Sequence, residues 1–170
     1  MKKGRIDFID NLLSDSNIVE LTNIVENFTP SRTPDEAGNY YFNTYVDIAN
    51  FTDFLNSVKS YYNSISNKYL VEIEAMWINK VDSTSNKNDV FHNDQSRLST
   101  VTLLNDNYEG GHFNYFNEKE EEVSTKCKKY TTLIFDGQAT GHRVLPVTKG
   151  VRFSLVTFWQ TKIKTTKTLL

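Results

Sequence analysis

The chain has 170 residues, 38% hydrophobic and 13% aromatic, enough apolar material for one domain with one substantial core. A net charge of −2, a pI near 5.9 and the lack of a long basic run give no reason to expect nucleic-acid binding. Cys127 is the single cysteine, which excludes an internal disulfide, and no apolar stretch reaches membrane-spanning length, so a soluble, cytoplasmic protein is expected.

Met1 to Arg5 is basic but runs into Asp7 and Asp10 rather than an apolar stretch, unlike a signal peptide. Ile6 to Asp10 alternates in polarity and predicts a short strand. Ile18, Leu21, Ile24, Val25 and Phe28 recur at helical spacing behind Ser14 or Ser16, either of which can cap a helix. Thr29 to Asn39 has the composition of a loop, and Tyr40 to Val46 that of a strand. A second helix fits Thr52 to Ile65, with Phe54, Leu55, Val58, Tyr61, Tyr62 and Ile65 as its buried stripe.

From Tyr69 the pattern changes. Tyr69 to Asn79 alternates like a strand with one buried face, and Asp82 to Asp89 is a polar loop. Val90 to Asp94, Leu98 to Leu104, Gly111 to Phe116, Tyr130 to Phe135, His142 to Val147 and Val151 to Trp159 are short strand-like segments between turn-rich ones, the pattern of an antiparallel sandwich or barrel. Glu118 to Glu122 reads as a solvated loop or hairpin tip, and Lys162 to Lys167 as a solvated end. No repeat or linker divides the chain. The expected architecture is mainly β with N-terminal supporting helices (α+β): one domain over 1–170, helical support to about 68 and a β core over about 69–160.

Every candidate ligand lies in the β half. His92 and Asp94 are two positions apart, so an extended backbone points both to one face. A third ligand must come from elsewhere, and the other histidines are His112 and His142. If His142 joins, two imidazoles and one carboxylate form the facial triad of non-haem Fe(II) oxygenases, with open positions opposite. Arg152 lies ten residues beyond His142, inside an apolar strand where a guanidinium must find a partner; its planar fork suits the far carboxylate of a 2-oxo acid. Ser154 shares its strand face and can add a hydrogen bond. His112 reads as a packed or solvated strand histidine. Cys127, among lysines that would lower a thiol pKa, has no His or Asp close in sequence and reads as incidental. Gly110 and Gly111 suit a tight turn or bulge. Trp77, Phe113, Phe135, Phe153 and Trp159 read as core aromatics, and Asn79 and Tyr108 as weaker candidates for a substrate mouth.

The ordered set His92-Asn93-Asp94, Arg97 to Asp106, Tyr108-Glu109-Gly110-Gly111-His112-Phe113 and Gly141 to Ser154 resembles the catalytic core of the Fe(II)/2-oxoglutarate-dependent dioxygenases, most closely the prolyl-4-hydroxylase-related branch. It covers roughly residues 70 to 160. The resemblance implies a double-stranded β-helix (a jelly roll, cupin-like), Fe(II) held by His92, Asp94 and His142, and 2-oxoglutarate held by Arg152 with Ser154. It further implies dioxygen as co-substrate, ascorbate as an accessory, a peptidyl (prolyl) or small-molecule substrate, and release of succinate and carbon dioxide. The chain departs from the pattern in three places. The tyrosine that relatives place on the strand after His-x-Asp is replaced by Leu103 or Thr102, His112 stands where an acidic residue is frequent, and Asp82 to Asp89 lacks a Gly-rich approach. Two other readings stay open here: a non-enzymatic jelly-roll binding module, and a cupin-like metalloenzyme that does not use 2-oxoglutarate.

Overall fold

The computed structural model describes residues 1–30, 42–66, 69–84 and 90–163. Helix α1 (Asp15–Glu26) starts at Ser14, whose Oγ accepts from the Asn17 backbone N–H, so Ser14 rather than Ser16 is the cap. The helix stops short of Phe28, whose ring instead packs 5.6 Å from that of Phe153. A 3₁₀ turn (Ile48–Phe51) leads into α2 (Thr52–Ile65), which buries Phe54, Leu55, Val58 and Tyr62. Ile65, expected in that stripe, is 40% exposed at the fraying end.

The strands are β1 (Ile6–Ile9), β2 (Phe42–Tyr45), β3 (Tyr69–Asp82), β4 (Leu98–Leu103), β5 (Glu109–Gly110), β6 (Phe113–Phe116), β7 (Glu122–Thr125), β8 (Thr132–Phe135), β9 (His142–Val144), β10 (Val147–Lys149) and β11 (Val151–Ile163). Six of them form a large sheet in the order β1-β8-β4-β11-β3-β2; opposite it stand the ladders β7-β6-β9 and β10-β5. Each described pairing is antiparallel. From β3 onward the chain passes back and forth between the two layers, which gives the jelly roll expected from the sequence.

Strand alternation splits the apolar residues into two cores. Leu98, Leu104, Ile134, Leu155 and Trp159 meet Phe54, Val58 and the rest of the helical layer. Val101, Leu103, Leu133 and Phe135 face the other way, into the barrel, against Phe113 and Val147. Hydroxyls that end up buried between strands pair with each other: Thr100 with Thr157, and Thr102 with Thr132 at 2.8 Å.

Several boundaries differ from the sequence reading for identifiable reasons. Val90 to Asp94 makes only a single bridge, at His92. His142 to Val147 divides into β9 and β10 because Pro146 has no N–H for a ladder; its carbonyl accepts from Gly111 instead. Tyr130 has a positive φ of 65° and sits in the turn before β8. Strands β3 and β11 run longer than predicted because they pair with each other from Val151–Asp82 to Ile163–Tyr69. The acidic run is a hairpin tip, as read, but the edge strand β7 after it was not anticipated. Residues 31–41 and 85–89, within the expected loops and the start of the Tyr40 strand, and 164–170 in the tail, lie outside the described residues. No helix among the described residues is long and apolar enough to cross a membrane. Since Phe54 is fully buried under the large sheet, Phe54→Ala should lower stability by about 3–5 kcal/mol in urea unfolding; a loss below about 1 kcal/mol would mean that the helices do not cover this core.

Candidate metal centre and binding cleft

The site begins with a pair of backbone hydrogen bonds. The N–H of His92 donates to the carbonyl of His142 and the N–H of His142 to that of His92, both at 2.9 Å. In such a pair the two side chains stand on one face, and the rings are 4.4 Å apart. Asp94, two residues on, points the same way, its backbone N–H donating to the Gly137 carbonyl. Asp94 Oδ1 lies 3.6 Å from His142 Nε2 and 3.9 Å from His92 Nε2. One donor atom from each of the three lies within 4.8 Å of the others, so the group could hold a metal ion. His112 is elsewhere, with Nδ1 3.3 Å from Ser124 Oγ.

Neighbouring groups set the chemistry of each of the three side chains. Nδ1 of His142 meets the Thr140 carbonyl at 3.0 Å, and Nδ1 of His92 the Val90 carbonyl at 3.2 Å. Carbonyls only accept, so these contacts place the proton on Nδ1 and leave a lone pair on each Nε2. His142 is packed between Phe113 and Phe135. Burial pushes its pKa below the usual histidine range, with the Asp94 carboxylate pulling upward against it. Ser99 donates to the other Asp94 oxygen at 2.6 Å and fixes the carboxylate. On the outer face of this layer Arg143 lies over the Phe91 ring at 4.4 Å, and Phe91 stacks on Phe116.

A cleft of about 100 Å³ runs from this cluster along β11, lined by His92, Asp94 and His142 at one place and by Arg152, Ser154 and Asn79 at another. Arg152 is 2% exposed, donates to Ser154 Oγ at 3.1 Å, and has no carboxylate within ion-pair distance among the described residues. Its buried Nε has no hydrogen-bond partner among the described residues. A sealed guanidinium without an anion is unsatisfied until one arrives.

Tyr108 is buried beside it, near enough for the guanidinium to act on its hydroxyl. Burial pushes that phenol up and the guanidinium pulls it back, so it is a protonated donor at neutral pH. Of Thr102 and Leu103, it is Leu103 that faces the barrel. The Cys127 thiol is pushed up by burial, contrary to the lowering expected from its lysines.

The sequence reading passed over Ser99 and Gly137. Ser99 sits on the same strand face as Val101, a signal that was available. Gly137 carries none, because its constraint comes from distant chain: a Cβ there would lie 2.3 Å from Ser99 Oγ, 2.5 Å from the Ser96 carbonyl oxygen and 2.8 Å from Asp94 Cβ. Trp77, taken as core, is half-buried beside the cleft. Gly111 has φ of 62°, and a Cβ on it would press on Arg152 and Tyr108.

Gly137→Ala should therefore lower the thermal midpoint and weaken Mn(II) binding by calorimetry; unchanged affinity would detach Gly137 from the cluster. The pH dependence has a definite sign. An imidazole whose pKa is lower folded than unfolded binds fewer protons when folded. Its contribution to stability is complete above about 6.5 and is lost as pH falls toward the folded value. Without added metal, melting temperature should fall between about pH 7.5 and pH 5.5, and His142→Gln should flatten that slope; equal slopes would contradict the burial of a neutral His142.

The sequence model of the 2OG-Fe(II) oxygenase superfamily matches residues 77–160. No protein of curated function matches the sequence. Among solved structures the fold is similar to an oxidoreductase of the 2OG-Fe(II) oxygenase family from Burkholderia pseudomallei, at TM-score 0.69 and 14% identity over 91% of this chain and 85% of that one. It is also similar to a prolyl-4-hydroxylase from Pseudomonas putida, at TM-score 0.65 and 14% identity over 93% of each chain. The viral collagen prolyl hydroxylase from Paramecium Bursaria Chlorella virus-1 is similar at TM-score 0.59 and 18% identity, covering 91% of this chain and 94% of that one. At these identities the structures speak for the fold, and the sequence match to the family runs through His92, Asp94, His142 and Arg152: the chain belongs to the 2OG-Fe(II) oxygenase superfamily and is an oxidoreductase.

Proposed function

We propose that this enzyme is an Fe(II)- and 2-oxoglutarate-dependent hydroxylase whose iron is held by His92, Asp94 and His142 and whose 2-oxoglutarate is anchored by Arg152. The observation that carries the reading is the buried Arg152, without a described carboxylate partner, lining the same cleft as the His/Asp cluster. Two imidazole nitrogens and one carboxylate suit Fe(II) and leave positions free on its open side. Iron and 2-oxoglutarate together supply the oxidation, with succinate and carbon dioxide released. A metalloenzyme that did not use a dicarboxylate would have no need of a guanidinium sealed at the end of its cleft.

The protein's own groups bind and orient. Arg152 forks onto the distal carboxylate, Ser154 adds a hydroxyl, and the Tyr108 phenol, protonated and next to the guanidinium, donates a further hydrogen bond in place of the tyrosine lost at Leu103. Ser99 keeps one Asp94 oxygen occupied so that the other faces the metal. Phe113 and Phe135 hold the His142 ring and keep water from its buried side. No side chain is required as a general acid or base. For the primary substrate we favour a peptidyl group, a prolyl residue first, because the Pseudomonas and viral proteins of similar fold are described as prolyl hydroxylases; a small molecule is the second choice.

The test is anaerobic titration of the Mn(II)-loaded protein with 2-oxoglutarate, followed by succinate measurement in air with Fe(II). Arg152→Ala should weaken 2-oxoglutarate binding by about 10- to 100-fold, and Tyr108→Phe by about 3- to 10-fold. Wild-type affinity in Arg152→Ala, or no succinate from the wild-type protein, would sink the proposal.

A further inference from the structure

Beyond the cleft, the barrel-facing side of the large sheet continues outward onto β3 and the edge strand β2. Register pairs Asn43 with Asn79 and Tyr45 with Trp77 across β2 and β3, and Asn79 with Ser154 across β3 and β11. Directly paired residues share a face. The Trp77 ring lies 4.9 Å from Phe158 and 6.0 Å from Tyr45, and Phe158 and Asn79 both line the cleft. Asn43, Tyr45, Trp77, Asn79 and Phe158 thus make one shelf, continuous with the cleft at Asn79 and Phe158, and with Tyr45 52% exposed at its outer rim.

This shelf holds unsatisfied polar atoms. Asn43 Oδ1, Asn79 Oδ1 and the Trp77 indole Nε1 are buried and make no hydrogen bond among the described residues. Buried polar atoms are nearly always paired, and an orphan is costly. Three together, next to a fourth on Arg152, form a set that a ligand completes. The indole can only donate, and the two carboxamides accept as placed and donate if turned over. None of the five shelf residues carries a charge, which disfavours a phosphate or carboxylate here. A neutral group with both a donor and an acceptor, flanked by something flat or rich in C–H bonds for the rings, fits the set.

We propose that Asn43, Trp77 and Asn79 bind a backbone amide of an extended peptide segment of the substrate, holding the residue to be oxidised over the cleft. The proposal rests on the reading of the cleft as the oxidation site and goes further by assigning the substrate surface. Trp77 is the specificity-determining donor, and the Tyr45–Trp77–Phe158 row packs the peptide's side chains.

The two tryptophans make this testable without turnover. The indole of Trp159 already donates to Thr157 Oγ1 at 2.7 Å, so it is an internal reference. The protein is loaded with Zn(II), as a redox-inert stand-in, and 2-oxoglutarate, with uptake checked by calorimetry. It is then titrated with a pool of N-acetylated, C-amidated tetrapeptides or with free amino acids while the indole N–H resonances are followed by NMR. The capped pool should move the Trp77 resonance and leave that of Trp159 in place. Trp77→Phe, which keeps a ring and deletes the donor, and Asn43→Leu should each weaken binding about 5- to 10-fold. If no capped peptide binds, if peptides bind without moving Trp77, if both variants bind as wild type does, or if free amino acids alone move the resonance, the assignment is wrong. Failure of Zn(II) and 2-oxoglutarate uptake would show instead that the reading of the cleft itself fails, and the shelf assignment with it.

Discussion

His92 and His142 face each other across two backbone hydrogen bonds of 2.9 Å, and the geometry of the centre descends from that pair. Strand periodicity then leaves Asp94 no choice of side. A slip of one residue would turn the inward set outward and bring Arg143 toward the barrel in place of His142. The outer face resists such a slip, because Arg143 is stacked on Phe91 and Phe91 on Phe116. The register is therefore held from both sides of a layer that pairs only briefly at this point. The remaining supports, Ser99 on Asp94 and the Thr140 carbonyl on His142, refine an arrangement that the register already dictates.

The other end of the cleft is governed by a charge rather than by register. Arg152 stands near the start of β11, paired with Val81 of β3, and is buried. Ser154 and Tyr108 are neutral neighbours and cannot balance it. Gly111 leaves the room that Arg152 and Tyr108 occupy. The interior thus combines a tightly packed apolar lining with one concentrated positive charge.

Much of this was legible in the chain. The helical spacing of Phe54, Leu55, Val58 and Tyr62 announced α2 to the residue, because a long amphipathic stripe leaves little ambiguity. His92, Asp94, His142 and Arg152 were recognisable by order and spacing, and the structure brings them to one cleft. What was hidden depends on contacts between distant segments. Gly137 looks like any turn glycine until Ser96 and Ser99 are seen against it. Tyr108 reads from the sequence as a weak candidate for a substrate mouth, and only the fold puts it next to Arg152. Trp77 alternates correctly for a buried strand position, yet it lies on the side of the sheet that opens toward the cleft. Strand β7 was missed because an edge strand with alternate exposed positions has little apolar signal.

The two imidazoles differ in one respect that bears on time rather than on affinity. The side chain of His142 is 7% exposed and that of Asp94 10%, whereas that of His92 is 52% exposed. An ion held by all three would meet bulk water on a single flank. His142 is wedged between two phenylalanine rings and Asp94 is tied to Ser99. The exposed His92 ring has the Val90 carbonyl on Nδ1 and is the least enclosed of the three, the first placed to swing away. Loading and loss of metal would then share one doorway, and its swing would set how long the occupant stays.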